Sequence, residues 1–200
     1  VALAVGFVRK EFFPGVITAA DMPKAPPPQP RPAATQVKAP PNLFEKIDDS
    51  KSLADAIVVA KPHMGDTTNG IDEGTLMLAS WMLDRLKWSP LAVVPETSLA
   101  KMLRDSALER GQRICAGGMI VQIEGESFRG GRVYSGKLMT DATDVVSFVA
   151  VGSTGALVAQ RPARFCGIAT GRDTYANTGG GTTHAVRVVG MFDLPENRKR

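Results

Sequence analysis

The apolar residues between positions 43 and 111 repeat at helical spacing. The clearest case is the stretch 72–88, where they recur every three or four positions, at Leu76, Ala79, Leu83 and Leu86. The Ser89-Pro90 step ends this predicted helix, because proline disfavours the helical conformation in the residue before it.

Two shorter helices are predicted on either side of that stretch. Residues 50–60 form a short amphipathic segment, and residues 96–111 form a longer one. In the second, Thr97 is the predicted N-cap and Gly111 the predicted terminator. Together these patterns predict a helical subdomain over residues 43–111.

From Arg113 onward the apolar pattern is typical of β-strands. Five candidate strands are rich in valine, isoleucine and phenylalanine and are bounded by glycine, aspartate, serine or proline. They cover residues 113–126, 131–140, 144–152, 163–171 and 183–193. The segment 153–162, between the third and the fourth, is predicted to be a further extended stretch. Helices followed by strands indicate an α+β chain.

Five strands within about 80 residues, the first long and kinked by glycine, resemble an oligonucleotide/oligosaccharide-binding (OB) barrel. The resemblance covers residues 113–193, rests on strand order and spacing, and is particularly to small bacterial OB domains exported to the cell envelope. The predicted fold is therefore an N-terminal helical segment, taken from the apolar pattern, followed by a five- or six-stranded OB-like antiparallel β-barrel over residues 112–195, which the resemblance implies. One departure is visible, because OB barrels usually have a helix where this chain has 153–162.

The rest of the chain divides into three segments. Residues 22–42 are rich in proline, which removes backbone donors and favours polyproline II, so they are predicted to be a linker. Residues 1–21 begin with the apolar run 1–8, which is too short to cross a bilayer alone, since crossing takes about 20 residues. Two interpretations stay open for it: the end of a membrane anchor, or an ordinary element of the domain. Residues 196–200 form a basic tail, interpreted as a solvated terminus.

The charge of the chain is weak for a protein dedicated to nucleic acids. The net charge is +4, and residues 101–200 hold 14 lysines and arginines against 9 aspartates and glutamates. Binding of single strands needs basic residues interleaved with aromatic ones, but aromatic residues make up only 6% of the chain. A nucleic-acid partner is therefore kept as an alternative and is not favoured.

The two cysteines, Cys115 and Cys166, bear on the compartment. Two cysteines and two distant histidines make a poor metal site, so neither a metal nor a cofactor is predicted. In the OB topology that the resemblance implies, the long first strand pairs with the fourth, which brings the two cysteines within reach of a disulfide, both pointing inward. A disulfide persists in oxidising compartments, which predicts the cell envelope, in particular the periplasm. The alternative is two buried free thiols in a cytoplasmic protein.

Residues 171–184 contain three consecutive glycines but lack the Gly-x-x-x-x-Gly-Lys-Ser/Thr spacing of a phosphate-binding loop. A strand follows the glycines, whereas phosphate binding needs the start of a helix. The stretch is predicted to be a turn between two barrel strands, in the position that commonly flanks the ligand face of OB barrels. The side chains that it offers to a partner are Arg172, Asp173, Tyr175, Asn177 and His184.

No catalytic motif such as Gly-x-Ser-x-Gly or His-Glu-x-x-His is visible, and no catalytic residue is assigned. The leading hypothesis is a non-enzymatic binding or assembly module, a tethered accessory or structural subunit of a cell-envelope complex, with a protein as its partner. The second hypothesis is a binder of single-stranded nucleic acid or oligosaccharide that uses the OB face. The third is a hydrolase whose site the sequence does not display.

Overall fold

The computed structural model of the chain describes residues 42–176 and 180–199. The predicted N-terminal extension 1–21, the predicted linker up to residue 41, Asn177 and the end of the basic tail lie outside the described residues. The first described element begins at Asn42, one residue before the predicted start of the helical subdomain.

Seven α-helices occur in the described residues, and side-chain caps explain where several of them begin. They are α1 (Asn42–Asp48), α2 (Leu53–Ala60), α3 (Glu73–Arg85), α4 (Trp88–Ala92), α5 (Leu99–Arg104), α6 (Ser106–Glu109) and α7 (Pro195–Arg198). Ser52, Asp72 and Ser98 precede α2, α3 and α5, and each side chain accepts a hydrogen bond from the backbone N–H three residues later. None of the described helices is both long and apolar enough to cross a membrane.

The predicted helix 96–111 is divided into two short helices. Asp105 leaves the helical conformation after α5, and its side chain caps α6 by accepting from the N–H of Leu108. The N-cap of α5 is Ser98 and not Thr97, whose hydroxyl donates to Glu109 instead. A local side-chain cap therefore interrupts the continuous helical pattern.

The predicted stop at Ser89-Pro90 is also displaced. Helix α3 already ends at Arg85, and Pro90 lies in the first turn of α4. Proline is tolerated there because the first N–H groups of a helix have no intrahelical acceptor.

Six strands form one mixed sheet in the described residues. They are β1 (Thr67–Thr68), β2 (Arg113–Phe128), β3 (Gly131–Thr140), β4 (Val145–Ala150), β5 (Pro162–Ala176) and β6 (Thr182–Phe192). The last five correspond to the five predicted strands, whereas the two-residue β1 was not predicted. Residues 151–161, between β4 and β5, form neither helix nor strand, so the extended stretch predicted at 153–162 is confirmed only at Pro162.

Five of these strands close into a ring of hydrogen-bonded neighbours, in the order β2, β3, β4, β6, β5 and back to β2. The pairs are antiparallel except for β4 with β6, which run parallel. The α+β class with a barrel-like sheet is therefore confirmed, but the prediction of an antiparallel barrel is wrong for the pair β4 and β6. The reason is topological: β6 inserts between β4 and β5, and its antiparallel pairing with β5 leaves it parallel to β4.

The two faces of the ring bury two separate apolar clusters. Inside the ring lie Phe148, Phe165 and Phe192, whose ring centroids are 5.1–5.3 Å apart, together with Met102 from α5. The other face of the same strands packs against α3, which contributes Met77, Leu78, Trp81 and Met82 to the outer cluster. The helices thus cover one part of the barrel wall, while residues 121–127 of β2 stay largely exposed.

Cys115 and Cys166 stand directly opposite each other on β2 and β5 and form a disulfide, with their Cα atoms 4.1 Å apart. The predicted pairing agrees with the structure. Their orientation differs from the prediction, because both cysteines belong to the outer cluster beneath the helices, whereas Ile114 and Ala116 beside Cys115 point into the ring. Alternation along β2 therefore places the disulfide between the barrel and its helical cover.

Candidate functional site

The predicted binding loop is shorter than expected. Strand β5 continues to Ala176 and β6 begins at Thr182, and these two residues pair across the strands. The strands therefore contain four of the residues predicted for the loop: Arg172, Asp173, Tyr175 and His184. Their polar, glycine-rich surroundings are typical of a turn, but cross-strand pairing keeps them in the sheet.

Arg172 is engaged within the protein. Its backbone N–H and its guanidinium donate to the Asp66 carboxylate at 2.7–2.9 Å, and Nη1 donates to the carbonyl of Leu103 at 3.1 Å. Burial raises the pKa of Asp66, but hydrogen bonds from Ser106, Arg172 and Arg110 outweigh burial and hold that pKa well below its usual range. This Asp66 cluster joins the loop before β1 to β5 and α6, so the role of Arg172 here is structural.

Arg187 on β6 is a central charged residue that the sequence pattern did not single out. It is only 1% exposed, and its guanidinium donates to the Asp72 carboxylate at 2.6 Å, to the Gly70 carbonyl at 2.7 Å and to the Thr67 hydroxyl. The signal in the sequence is a single arginine within the apolar strand "AVRVVG", because a buried charge needs a partner. That partner lies 115 positions earlier in the chain, where local patterns do not reach.

The Arg187 interactions hold the loop 69–71 against the barrel wall and leave a cleft of about 210 Å³ beside it. We call this the polar cleft. Its polar lining consists of Asn69, Gln122, Ser135, Lys137, Ser147, Asp173 and Arg187. The cleft thus combines amides, hydroxyls and charges of both signs, supplied by the loop 69–71 and by strands β2 to β6.

Lys137 and Asp173 line the polar cleft, and Tyr175 contacts Lys137 beside it. The Lys137 ammonium lies 3.0 Å from the centre of the Tyr175 ring, a cation–π contact. Burial lowers the pKa of Lys137, and the nearby negative charge of Asp173 opposes part of that shift. Burial also raises the pKa of Tyr175, and Asp173 raises it further. Of the residues predicted for the loop, the structure therefore brings Asp173 and Tyr175 together.

Asp173 is only partly satisfied within the described residues. Its Oδ2 accepts a hydrogen bond from Ser147 at 3.2 Å. Its Oδ1 lies 3.6 Å from Nη2 of Arg187 and has no hydrogen-bond partner among the described residues. Because Arg187 already donates to Asp72 and to the 67–70 loop, Asp173 is held mainly by charge.

An exposed apolar surface lies on the same wall of the barrel. Met119 on β2 pairs directly with Met139 on β3, and both side chains are 43% exposed, while the neighbouring Val121 is 52% exposed. We call these three residues the methionine patch. Flexible, polarisable methionine side chains at a protein surface are typical of adaptable binding sites.

A second apolar surface lies away from the barrel wall, between α2 and the segment after α4. It borders a cavity of about 370 Å³ whose apolar lining is Leu53, Ala54, Ile57, Pro90, Val93, Val94 and Pro95. It shares no lining residue with the polar cleft.

His184 lies on β6 at the exposed end of the β5–β6 pair, with its Nδ1 3.0 Å from the Thr174 hydroxyl. It is not among the residues that line the polar cleft. Within the described ranges, no group of three or more histidine, cysteine, aspartate or glutamate side chains could hold a metal ion.

Comparison of the sequence with known protein families and with curated proteins finds no match.

Proposed function

We propose that this protein is a non-enzymatic binding or assembly module whose protein partner covers the methionine patch. The observation that carries the proposal is the pair Met119 and Met139, each 43% exposed on adjacent strands. The patch sits on hydrogen-bonded strands rather than on loops, so its geometry is set before a partner arrives. Burial of such a surface stabilises a complex by about 25 cal/mol for each Å² removed from water.

The proposed fold identity is an OB-like barrel. In OB barrels the long first strand pairs with the second and the fourth strands, and β2 here pairs with β3 and β5 in the same way. The described residues between β4 and β5 contain no helix, which departs from the usual OB pattern. Helix α5 instead supplies Met102, Leu99 and Leu103 to the apolar cluster inside the ring.

The proposed compartment is oxidising, outside the cytoplasm, and most simply the periplasmic side of a cell envelope. The disulfide between Cys115 and Cys166 supports it, because such bonds persist where thiols are not kept reduced. Tethering through residues 1–21 and the linker 22–41 is part of the proposal.

A photo-crosslinking residue placed at Met139 in the full chain tests the protein partner. We expect cross-links to one saturable species in envelopes of the native host. The matched control is the same residue at Leu108, which is 71% exposed on α6, away from the patch. Identical products at both positions, or none at Met139, would contradict the proposal.

A second candidate function is the binding of a small polar ligand, such as a saccharide unit or a nucleotide of a single strand, in the polar cleft. The observation that favours it is the contact of Lys137 with Tyr175 beside the half-satisfied Asp173. Titration with short oligosaccharides and single-stranded oligonucleotides tests it. Lys137→Ala should weaken the binding of a ligand in the cleft. The control Lys101→Ala, on α5, should leave the affinity unchanged.

A further inference from the structure

Strand β2 has a neighbour on each side for only part of its length. From Arg113 to Met119 it pairs with β5, and Ile120 still exchanges backbone hydrogen bonds with Gln160 and Arg161. From Gly118 to Phe128 it pairs with β3. Among the described residues, the stretch 121–128 therefore has no strand on the side away from β3. We call this stretch the open edge.

The open edge is accessible along most of its length. Residues 121, 122 and 124–127 are exposed, and Ile123 and Phe128 are half-buried. In an antiparallel pair, alternate residues direct their N–H and C=O groups away from the partner strand. Unpaired groups of this kind are a template on which another strand can add.

The side chains of the open edge differ between its two faces. Glu124 and Glu126 are two residues apart and so share one face, with Gln122 donating to Glu124 at 2.9 Å. Neither glutamate forms an ion pair with any described residue. The other face presents Ile123, which packs against the cluster inside the ring, and Gly125, which the side chains of Arg132 and Tyr134 cover.

We infer that the open edge accepts an extended segment of the protein partner with basic residues at alternate positions and apolar residues between them. Residues directly opposite on adjacent strands bring their Cβ atoms to about 5 Å, close enough for a lysine or arginine to pair with each glutamate. The intervening apolar residues would then lie beside Ile123 and beside the Arg132 and Tyr134 side chains that cover Gly125. This inference rests on the proposed function, and Val121 belongs both to the methionine patch and to the open edge.

The charges also disfavour the simplest competing occupant, a second copy of the chain paired in this register. Two open edges paired antiparallel about a two-fold axis near Gly125 would place Glu124 and Glu126 of one copy opposite those of the other. Like charges directly opposite each other destabilise a strand pair. The glutamates thus discourage self-association, as charged residues on edge strands commonly do, and favour a basic strand.

Synthetic peptides test the inference on the full chain. The probe is a peptide of alternating lysine and valine, and its control is a peptide of alternating glutamate and valine. We expect the basic peptide to slow amide hydrogen exchange in residues 121–128 and to bind at least tenfold more tightly than the acidic one. The absence of protection in 121–128 at peptide concentrations up to about 1 mM, where even weak complexes form, would overturn the inference.

N-methylated peptides separate strand addition from attraction between charges alone. One peptide is methylated on the backbone nitrogens of its lysines, and a second on the backbone nitrogens of its valines. Because the N–H groups of alternate residues point to opposite sides of a strand, the two peptides are blocked on opposite edges. We expect one of these two peptides to lose at least tenfold in affinity relative to the other, because only one edge of the peptide faces β2. Equal affinities for both and for the unmethylated peptide would show that no backbone pairing occurs, and would refute the inference.

A charge-matched pair of variants completes the test. The double variant Glu124→Lys/Glu126→Lys should prefer the acidic peptide. The control Glu45→Lys/Glu196→Lys changes the net charge by the same amount at exposed glutamates on α1 and α7 and should keep the preference for the basic peptide. A reversed preference in both variants would show that net charge alone selects the peptide. If peptide binding fails while cross-linking at Met139 persists, only the strand-addition inference falls and the proposed function stands.

Discussion

Removing the disulfide should produce one large loss of stability, however many of its cysteines are replaced. The bond joins residues 51 positions apart, Cys115 and Cys166. In the chain-entropy model, closing a loop of that length removes about 4 kcal/mol of conformational freedom from the unfolded state. Domains are typically stable by only about 5–15 kcal/mol. At roughly 2–4 °C per kcal/mol for a chain of this size, the melting temperature should fall by roughly 8–16 °C.

Urea unfolding followed by circular dichroism measures this loss in Cys115→Ala, Cys166→Ala and the double variant. Each single variant should lose about 4 kcal/mol, and the double variant about the same, because the cross-link can be lost only once. The matched control is the unsubstituted protein in reductant, which should unfold within about 1 kcal/mol of the double variant.

Two results would refute this reasoning. Additive losses in the double variant would mean that the cysteines stabilise the fold as two independent buried side chains. Two thiols that react with an alkylating agent after unfolding without reductant would mean that the bond does not form, and the argument for an oxidising compartment would lose its support.

Two further predictions concern the buried charges. Arg187→Met should destabilise the fold by about 3–5 kcal/mol because it leaves the Asp72 carboxylate buried without its cation. Urea unfolding should show that adding Asp72→Asn restores part of this loss. A double variant that loses as much stability as the two single variants together would contradict the prediction. The pKa of Asp66 is lower in the folded state than in the unfolded state, so its contribution to stability is complete at neutral pH and is lost as the pH falls below about 4. The unfolding free energy should therefore fall less steeply with decreasing pH in Asp66→Asn than in the unsubstituted protein. Equal slopes in the two proteins would mean that the Asp66 cluster does not form.

The strands could be predicted from sequence because, after position 112, runs of β-branched and aromatic residues are separated by clear turn residues. Strand β3 has the bounds that its pattern predicts, 131–140. Strand β5 extends beyond its predicted end because its polar residues are held by pairing with β6 and not by their own propensity. Cross-strand pairing is a tertiary effect, so the glycine-rich composition after Ala176 predicted a turn that was too long.

The candidate surfaces were less predictable, because they depend on which face of the barrel the helices cover. Met119 and Val121 occur in an apolar run that favours burial, yet the helices pack elsewhere and leave both exposed. Arg172 was predicted to face a partner, but Asp66 engages it from a loop 106 positions earlier. Asp173 and Tyr175 were predicted to be binding residues, and they lie in or beside the polar cleft. Lys137 and Arg187, which reach the cleft from other strands, were not among the residues predicted for the loop.

The barrel can close only after its fifth strand, β6, has been synthesised. Of the described strands, β6 is synthesised last, yet it fills the place between β4 and β5 and pairs with both. Until Phe192 has been made, β4 and β5 each lack a neighbour, and the cluster of phenylalanines inside the ring lacks one of its three rings. Non-local pairing of this kind slows folding and leaves intermediates with exposed strand edges. The nascent chain should therefore not complete its barrel until β6 has been made, and the facing edges of β4 and β5 should stay exposed until then.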